Sequence, residues 1–229
     1  MEFTKLSNRL DLVASFVPAG ARLLDVGSDH AYLPIALLQE GKIEAAIAGE
    51  VVEGPYQSAL QNVADNSLED KIEVRLANGL AAFEPTDGIS CITIAGMGGR
   101  LIADILAAGL EKLANVSRLV LQPNNREDEL RDWLVDHDFR IVDEAILEEN
   151  EKFYEILVVE QGSQELTAKE LRFGPYLMRE QAPAFVQKWS KEVEKLAFAL
   201  EQVPVENQSA RASLEERIAQ IKEVLHVSK

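Results

Sequence analysis

The segment Leu23-Leu24-Asp25-Val26-Gly27-Ser28-Asp29-His30-Ala31-Tyr32 carries an apolar, strand-like run into a glycine turn flanked by two carboxylates. In an open α/β sheet a glycine at the carboxyl end of the first strand lets the backbone pass close to a ligand. A dinucleotide fingerprint there would read G-x-G-x-x-G, but only Gly27 fits, with Asp29 and Tyr32 in the other two glycine positions. A pyrophosphate would meet a carboxylate where it needs bare backbone amides. A cationic ligand suits the turn better. S-adenosylmethionine, with its sulfonium and ammonium groups, has the matching charge, although a plain tight connection would use the same glycine.

Further strand ends supply compatible groups. Glu50, followed by Val51, closes the run Ala45-Ala46-Ile47-Ala48-Gly49, 23 residues after Gly27. A carboxylate at that place accepts both ribose hydroxyls of a nucleoside. Asn78 and Gly79 follow the third strand, where an adenine edge and face would lie, and a simple turn explains Asn78 as well. The fourth strand leads into Ala95-Gly96-Met97-Gly98-Gly99-Arg100, three glycines opening a helix. Phosphate binding is the rival reading of this loop, but no Lys-Ser or Lys-Thr follows, so it is not a P-loop. Beside the proposed donor site it would shape an acceptor pocket. Gln122-Pro123-Asn124-Asn125 ends the fifth strand on the same side.

The elements that must position these groups follow from apolar spacing. Leu6, Leu10, Val13 and Phe16 predict a helix within 5–17, ended by Pro18 and Gly20. Strands at 22–26, 45–49, 71–76, 89–95 and 118–121 alternate with helices at 32–40, 55–66 and 100–113. Strands apolar on both faces predict a parallel, helix-covered sheet of Rossmann-like α/β topology. After a helix at 127–136, the β-rich runs 139–147 and 153–159 are separated by the polar stretch 148–152, short enough for a hairpin. That brings the count to seven strands, as in class I methyltransferases, with an antiparallel strand at one end. Beyond Gln161, Trp189, Val193, Leu196, Leu200 and Val203, then Leu214, Ile218, Ile221 and Leu225, form two coiled-coil-like seams turned at Pro204. A helical hairpin is expected, preceded by one shorter helix at 166–179, three helical pieces in all.

Composition limits the function classes. The 229 residues are 47% hydrophobic and 27% charged, enough for a folded core, and their mean hydropathy is −0.08. No apolar run approaches a membrane span, and the N-terminus lacks the order of a signal peptide, so a cytoplasmic protein is expected. One cysteine, Cys91, and three dispersed histidines, His30, His137 and His226, offer no metal set, and the latter two read as surface residues. The net charge of −16 argues against unselective polyanion binding. All the acidic excess lies in 1–160, with 13 basic against 29 acidic residues, whereas the rest balances at 10 and 10. The tail and Lys5, Arg9, Arg22 and Arg100 are therefore the candidate phosphate contacts.

The stretches Asp25-Val26-Gly27-Ser28-Asp29-His30-Ala31-Tyr32-Leu33-Pro34, Ile94-Ala95-Gly96-Met97-Gly98-Gly99 and Gln122-Pro123-Asn124, with Glu149-Asn150-Glu151-Lys152-Phe153-Tyr154-Glu155, resemble the bacterial TrmK family. Its members are S-adenosylmethionine-dependent methyltransferases that modify N1 of adenine 22 in the D-loop region of tRNA. The resemblance covers about residues 5–160, and the tail agrees in type with the family's C-terminal coiled-coil domain. It implies a methyltransferase domain over 1–161 and a helical domain over 162–229. Donor contacts are then expected from Asp25, Gly27, Ser28, Asp29, His30, Leu33, Glu50, Val51, Asn78, Gly79, Ala95, Gly96, Met97 and Gly98. Substrate contacts fall to Tyr32, Met97, Arg100, Gln122, Pro123, Asn124 and Tyr154.

Adenine N1 attacks through an in-plane lone pair, so it needs no prior deprotonation, but the product ring is cationic. A nearby carboxylate stabilises that charge or collects a proton from the exocyclic amine, and Asp29 is the candidate catalytic residue. The Asn/Asp-Pro-Pro-Tyr motif of exocyclic amino methyltransferases is absent. N1 is hidden in a base pair, so the base must be exposed, with Tyr32, Met97 or Tyr154 to stack on it unless these pack in the core. The tail either reaches tRNA, pairs with a second copy of the chain, or stabilises the fold. A small-molecule or protein methyltransferase would share the donor site, whereas a nicotinamide dehydrogenase is opposed by Asp29 and Tyr32.

Overall fold

The computed structural model describes residues 4–226. Helix α1 (Asn8–Ser15) starts later than its apolar stripe because Ser7 caps it, its hydroxyl accepting the Leu10 N–H at 3.2 Å. Strands β1 (Ala21–Val26), β2 (Ile43–Glu50), β3 (Ile72–Leu76), β4 (Cys91–Met97) and β5 (Arg118–Pro123) are connected through α2 (Tyr32–Gln39), α3 (Glu53–Asp65) and α4 (Gly99–Ala107). Helix α5 (Glu127–Asp136) then leads into β6 (Phe139–Glu149) and β7 (Lys152–Gln161). The sheet runs β3-β2-β1-β4-β5-β7-β6, parallel except for β7, which is antiparallel to both its neighbours. The antiparallel strand is therefore inserted one place in from the edge. Strand order reverses between β1 and β4, which opens the crevice where ligands of such sheets bind.

Burial explains the doubly apolar strands. Leu24, Val26, Ile92 and Ile94 pack with Ile102, Leu106 and Leu130 on one face, and Leu23, Ala48 and Cys91 pack with Leu33, Ile35 and Ala59 on the other. Each buried Leu, Ile or Val side chain among them stabilises the fold by about 1.5–3 kcal/mol. The expected helix over 100–113 ends at Ala107 and gives way to a 3-10 turn, Leu110–Asn115. Gly109 packs so tightly on Leu80 that a Cβ would stand 2.7 Å from that residue's Cβ. The β6–β7 turn is only two residues, Asn150 and Glu151, with φ of 53° and 64°. That is the twist-matched hairpin turn, and it draws Glu148, Glu149 and Lys152 into the ladder.

The tail differs most from expectation. Instead of one helix over 166–179 there are two, α6 (Ala168–Phe173) and α7 (Pro175–Glu180), followed by α8 (Pro183–Gln202) and α9 (Gln208–His226). Gly174 breaks the first pair: its φ is +82°, and a Cβ would lie 2.7–2.8 Å from the Glu144 carboxylate and the Arg131 guanidinium. The predicted seams do meet, with Trp189, Leu196 and Ile221 buried together and Val193, Leu214 and Ile218 against them. Ile146 of β6 and Phe153 of β7 belong to the same cluster, while Leu166 and Tyr176 pack on the sheet's own core. His137 is half-buried and stacks on Trp133 at 4.1 Å rather than lying on the surface, and the side chain of His226 lies outside the described residues. No described helix is long and apolar enough to cross a membrane.

Gly174→Ala combines a left-handed backbone with a clash against buried charge, so it is expected to destabilise the protein by about 2–4 kcal/mol. A shift of the urea midpoint at unchanged m-value measures this.

Candidate active site

The turn after β1 is pinned from both sides. Gly27 has φ +68° and donates its N–H to Gly49 O at 2.9 Å, as does Ser28 at 3.3 Å. Asp29, His30 and Ala31 then all have positive φ, 41°, 69° and 57°. Three such residues in succession store strain, and specific bonds hold them there. The Asp29 N–H donates to Glu50 Oε1 at 2.5 Å, and Asn62 Nδ2 donates to His30 O at 2.8 Å. Asp25 lies beneath, buried, its two oxygens accepting the hydroxyls of Ser28 and Thr93, each at 2.6 Å. Burial raises its pKa, while those two hydroxyls and the charge of Arg9 pull it down.

Glu50 is buried at the end of β2, and burial together with the neighbouring Asp25 and Asp29 lifts its pKa. Its Oε2 has no hydrogen-bond partner among the described residues. Beside it Val51 is 60% exposed and Leu76 49%, an apolar lip at the ends of β2 and β3. Ala77 N donates to Glu50 O at 2.7 Å, which joins the Asn78–Gly79 loop to this edge.

The loops after β4 and β5 are stitched together through Gln122. Its buried Oε1 accepts both the Gly96 N–H at 3.0 Å and Arg9 Nη1 at 2.6 Å. Its Nε2 donates to Pro123 O at 2.8 Å and Asn124 Oδ1 at 3.2 Å. Asn124 returns Nδ2 to Gly96 O and its own N–H to Met97 O, each at 2.7 Å. Gly99 must be glycine, since a Cβ would run into the backbone carbonyl of Arg126. The result is a 260 Å³ cleft lined by Arg9, Leu10, Asp25, Gly27, Ser28, Asp29, Tyr32, Leu33, Ala95, Gly96 and Met97.

Most expected donor residues thus converge, but not all in one place. Glu50, Val51, Asn78 and Gly79 extend the site along the ends of β2 and β3. His30 turns outward into a shallow depression with Gln57 and Asn62. Gly98 abuts Asn125 rather than the cleft. Among the expected substrate residues, Tyr32 is 41% exposed and lies with its ring centre 5.4 Å from that of His30. Asn124 and Arg100 are exposed as well. Gln122 and Pro123 are buried, and Gln122 spends its amide inside the protein, so both shape the pocket from beneath. Tyr154 lies under the Arg9 guanidinium at 5.6 Å. Arg9 is the site residue that spacing did not place, and Arg22, also expected to contact phosphate, sits at the opposite end of β1, donating to Asp87 O. Among the described residues no cluster of three or more His, Cys, Asp or Glu is arranged to hold a metal.

A second, larger depression of 780 Å³ is lined by Asn124, which bonds to Gly96 of the cleft, and by Tyr154, which Arg9 of the cleft overlies, and it continues past Lys152 and Phe153 of β7 to Arg172, Lys188, Lys191, Lys195 and Arg217 of the tail. Six cations face three acids there, Glu127, Asp128 and Glu192.

A seven-stranded sheet with an inserted antiparallel strand, a glycine turn among carboxylates after β1 and an acid ending β2 define a class I S-adenosylmethionine-dependent methyltransferase. The family model described as TrmK, tRNA (adenine(22)-N(1))-methyltransferase, matches residues 23–223, and the chain belongs to that family. It is 39% identical over 236 residues to the tRNA (adenine(22)-N(1))-methyltransferase of Bacillus subtilis, covering 98% of this chain and 99% of the relative. The crystal structure of Streptococcus pneumoniae Sp1610 in complex with S-adenosyl-L-methionine superimposes with a TM-score of 0.90 at 66% identity, over 97% of this chain and 100% of that one. TrmK of M. capricolum, in complex with S-adenosyl-homocysteine, gives 0.84 at 28% identity, over 98% and 99%.

The raised pKa of Glu50 has a consequence for donor affinity. A protonated carboxyl accepts ribose hydroxyls less well, so if Glu50 takes the ribose, as its place at the end of β2 leads one to expect, binding of S-adenosylmethionine is expected to weaken as pH falls toward a value above the ordinary 4.5. Glu50→Gln is expected to weaken binding about tenfold at pH 7 and to flatten this pH dependence, as read by calorimetry.

Proposed function

We propose that this chain transfers a methyl group from S-adenosylmethionine to N1 of adenine 22 in tRNA, with the donor in the Asp25–Met97 cleft and the tRNA along the adjoining basic groove. The observation that carries this reading is the contact that joins the two, Arg9 of the cleft over the ring of Tyr154 in the groove, on a protein whose net charge is −16. The cleft wall suits a ligand of mixed charge. Glu50 is placed for ribose hydroxyls, Val51 and Leu76 offer apolar surface to an adenine, and Asp25 and Asp29 favour positive charge. Arg9 is the one cation among the described cleft residues and matches an amino-acid carboxylate. When bound, the donor supplies a sulfonium-attached methyl group for in-line displacement, a reaction limited mainly by alignment.

Asp29 stands at the mouth with its side chain 84% exposed, so a docked base can reach it. There it stabilises the charge that develops on the adenine ring. The exposed Tyr32 offers a face for the displaced base, and Met97 closes the wall behind. Residues 162–229 act as the arm that carries five of the groove's six cations, Lys152 of β7 being the sixth, and the cytoplasm, where tRNA is modified, is the expected place of work. A small-molecule substrate would leave that groove without a use.

Asp29→Asn is expected to lower kcat about tenfold beyond any loss of donor affinity, as read by single-turnover kinetics at saturating donor and by calorimetry, whereas full kcat with weakened donor binding alone would make Asp29 a donor-site residue only. Labelled methyl transfer to undermodified tRNA, followed by mapping of the modified base, tests the reaction itself. Equal labelling of a tRNA with adenine 22 replaced would refute the site assignment.

A further inference from the structure

A second charged constellation lies between the sheet and the tail, outside the donor cleft. Arg131 is fully buried in α5. Its guanidinium donates to Glu144 Oε1 at 2.7–2.8 Å, to Glu155 Oε2 at 2.5 Å and to Leu171 O at 3.1 Å. The other oxygen of Glu155 accepts Lys188 Nζ at 2.7 Å, and Lys188 also reaches Glu127 Oε1 at 3.2 Å. Glu144 Oε2 accepts the Tyr176 N–H at 2.9 Å. Two cations and three carboxylates thus tie α5, both hairpin strands, α6, α7 and α8 into one web. Opposite charges hold Glu155 below and Lys188 above their ordinary values although burial pushes each the other way.

Stability alone gives no reason for such a web. Well-packed apolar side chains of equal volume serve as well or better, whereas ionic partners accept one geometry and penalise the rest. Both ends of the web touch places that matter to the proposed reaction. Glu127 opens α5 directly after Asn124, Asn125 and Arg126, the loop stitched to Gly96 and Gly99. Lys188 stands on α8 in the same groove as Lys191 and Lys195. Its ammonium is committed to two carboxylates, so it is poorly placed to serve as a phosphate ligand.

We propose that the Lys188–Glu155–Arg131 web fixes the angle of the C-terminal helices to the methyl-transfer site, with Lys188 and Glu155 as positioning residues for tRNA. This rests on the reading that tRNA spans cleft and groove. Loss of either partner lets the arm sample other angles, so that tRNA phosphates and the target base fit at the same time less often.

The sign of the Glu155→Gln effect separates this from direct electrostatics. Removing an acid near a bound polyanion should tighten tRNA binding. Loosening the arm should raise the tRNA KM, here about fivefold, with donor affinity unchanged. Lys188→Met, at a partly exposed position where folding is less at risk, should act likewise, and Lys188→Arg should restore the wild-type value. Spin labels on Ser209→Cys in α9 and Glu69→Cys beyond α3 read the arm angle without tRNA, and the buried Cys91 is shielded from the label. The distance distribution should broaden in Lys188→Met and Glu155→Gln and stay narrow in Lys188→Arg. A lower tRNA KM for Glu155→Gln, or distributions as narrow as wild type in both variants, overturns the proposal. Failure of the wild-type chain to methylate tRNA would instead overturn the functional reading, leaving the distance measurement to decide on the web.

Discussion

The site depends on one buried carboxylate. Asp25 lies one residue from the end of β1, paired with Thr93 of β4 at the reversal of strand order, and its two oxygens take the hydroxyls of Ser28 and Thr93. The glycine turn, the first strand and the fourth strand are thereby held in a single arrangement from below. An ionised group there is costly to bury, and although burial keeps its pKa raised, two short hydrogen bonds and the charge of Arg9 take back part of that cost. Without the carboxylate the Ser28 hydroxyl would lose its partner and Thr93 would keep only a long bond to Leu24 O, while the strained run Asp29-His30-Ala31 would rest on its bonds to Glu50, Asn62 and Ile35. The cleft proposed for the donor is in this sense an extension of core packing.

Much of this was readable from residue order. In a parallel sheet the functional ends of successive strands share one edge, so Gly27, Glu50, Asn78, Gly96 and Asn124 fall together once the alternation is seen. The sequence could not show which polar side chains at that edge face outward. Gln122 looked like a substrate contact by type and place, but Arg9, 113 residues earlier, and the Gly96 amide consume its oxygen. Arg9 itself lies on a helix that precedes the alternating pattern, so no strand-end rule assigns it to the cleft. The break at Gly174 was equally hidden, because its cause is a carboxylate and a guanidinium brought there by β6 and α5.

Charge segregation shapes how a polyanion meets this surface. The acidic excess sits on the sheet domain, while the groove between hairpin and tail gathers Lys152, Arg172, Lys191, Lys195 and Arg217. A polyanion approaching elsewhere meets a repulsive field, so the acidic body works with the groove to orient the encounter. Overall negative charge and RNA recognition are compatible on these terms.

Strand β7 serves two clients at once. Tyr154 turns toward Arg9 and the cleft, while its neighbour Glu155 turns toward Arg131 and Lys188. Because alternate residues point to opposite faces, a slip of one position would exchange them, putting a phenol among buried ions and a carboxylate against the donor wall. The tight Asn150–Glu151 reversal therefore acts as a vernier for both. Chain-length changes within the hairpin strands should survive selection only when they preserve parity, whereas the far tip of the α8–α9 arm is free of that arithmetic.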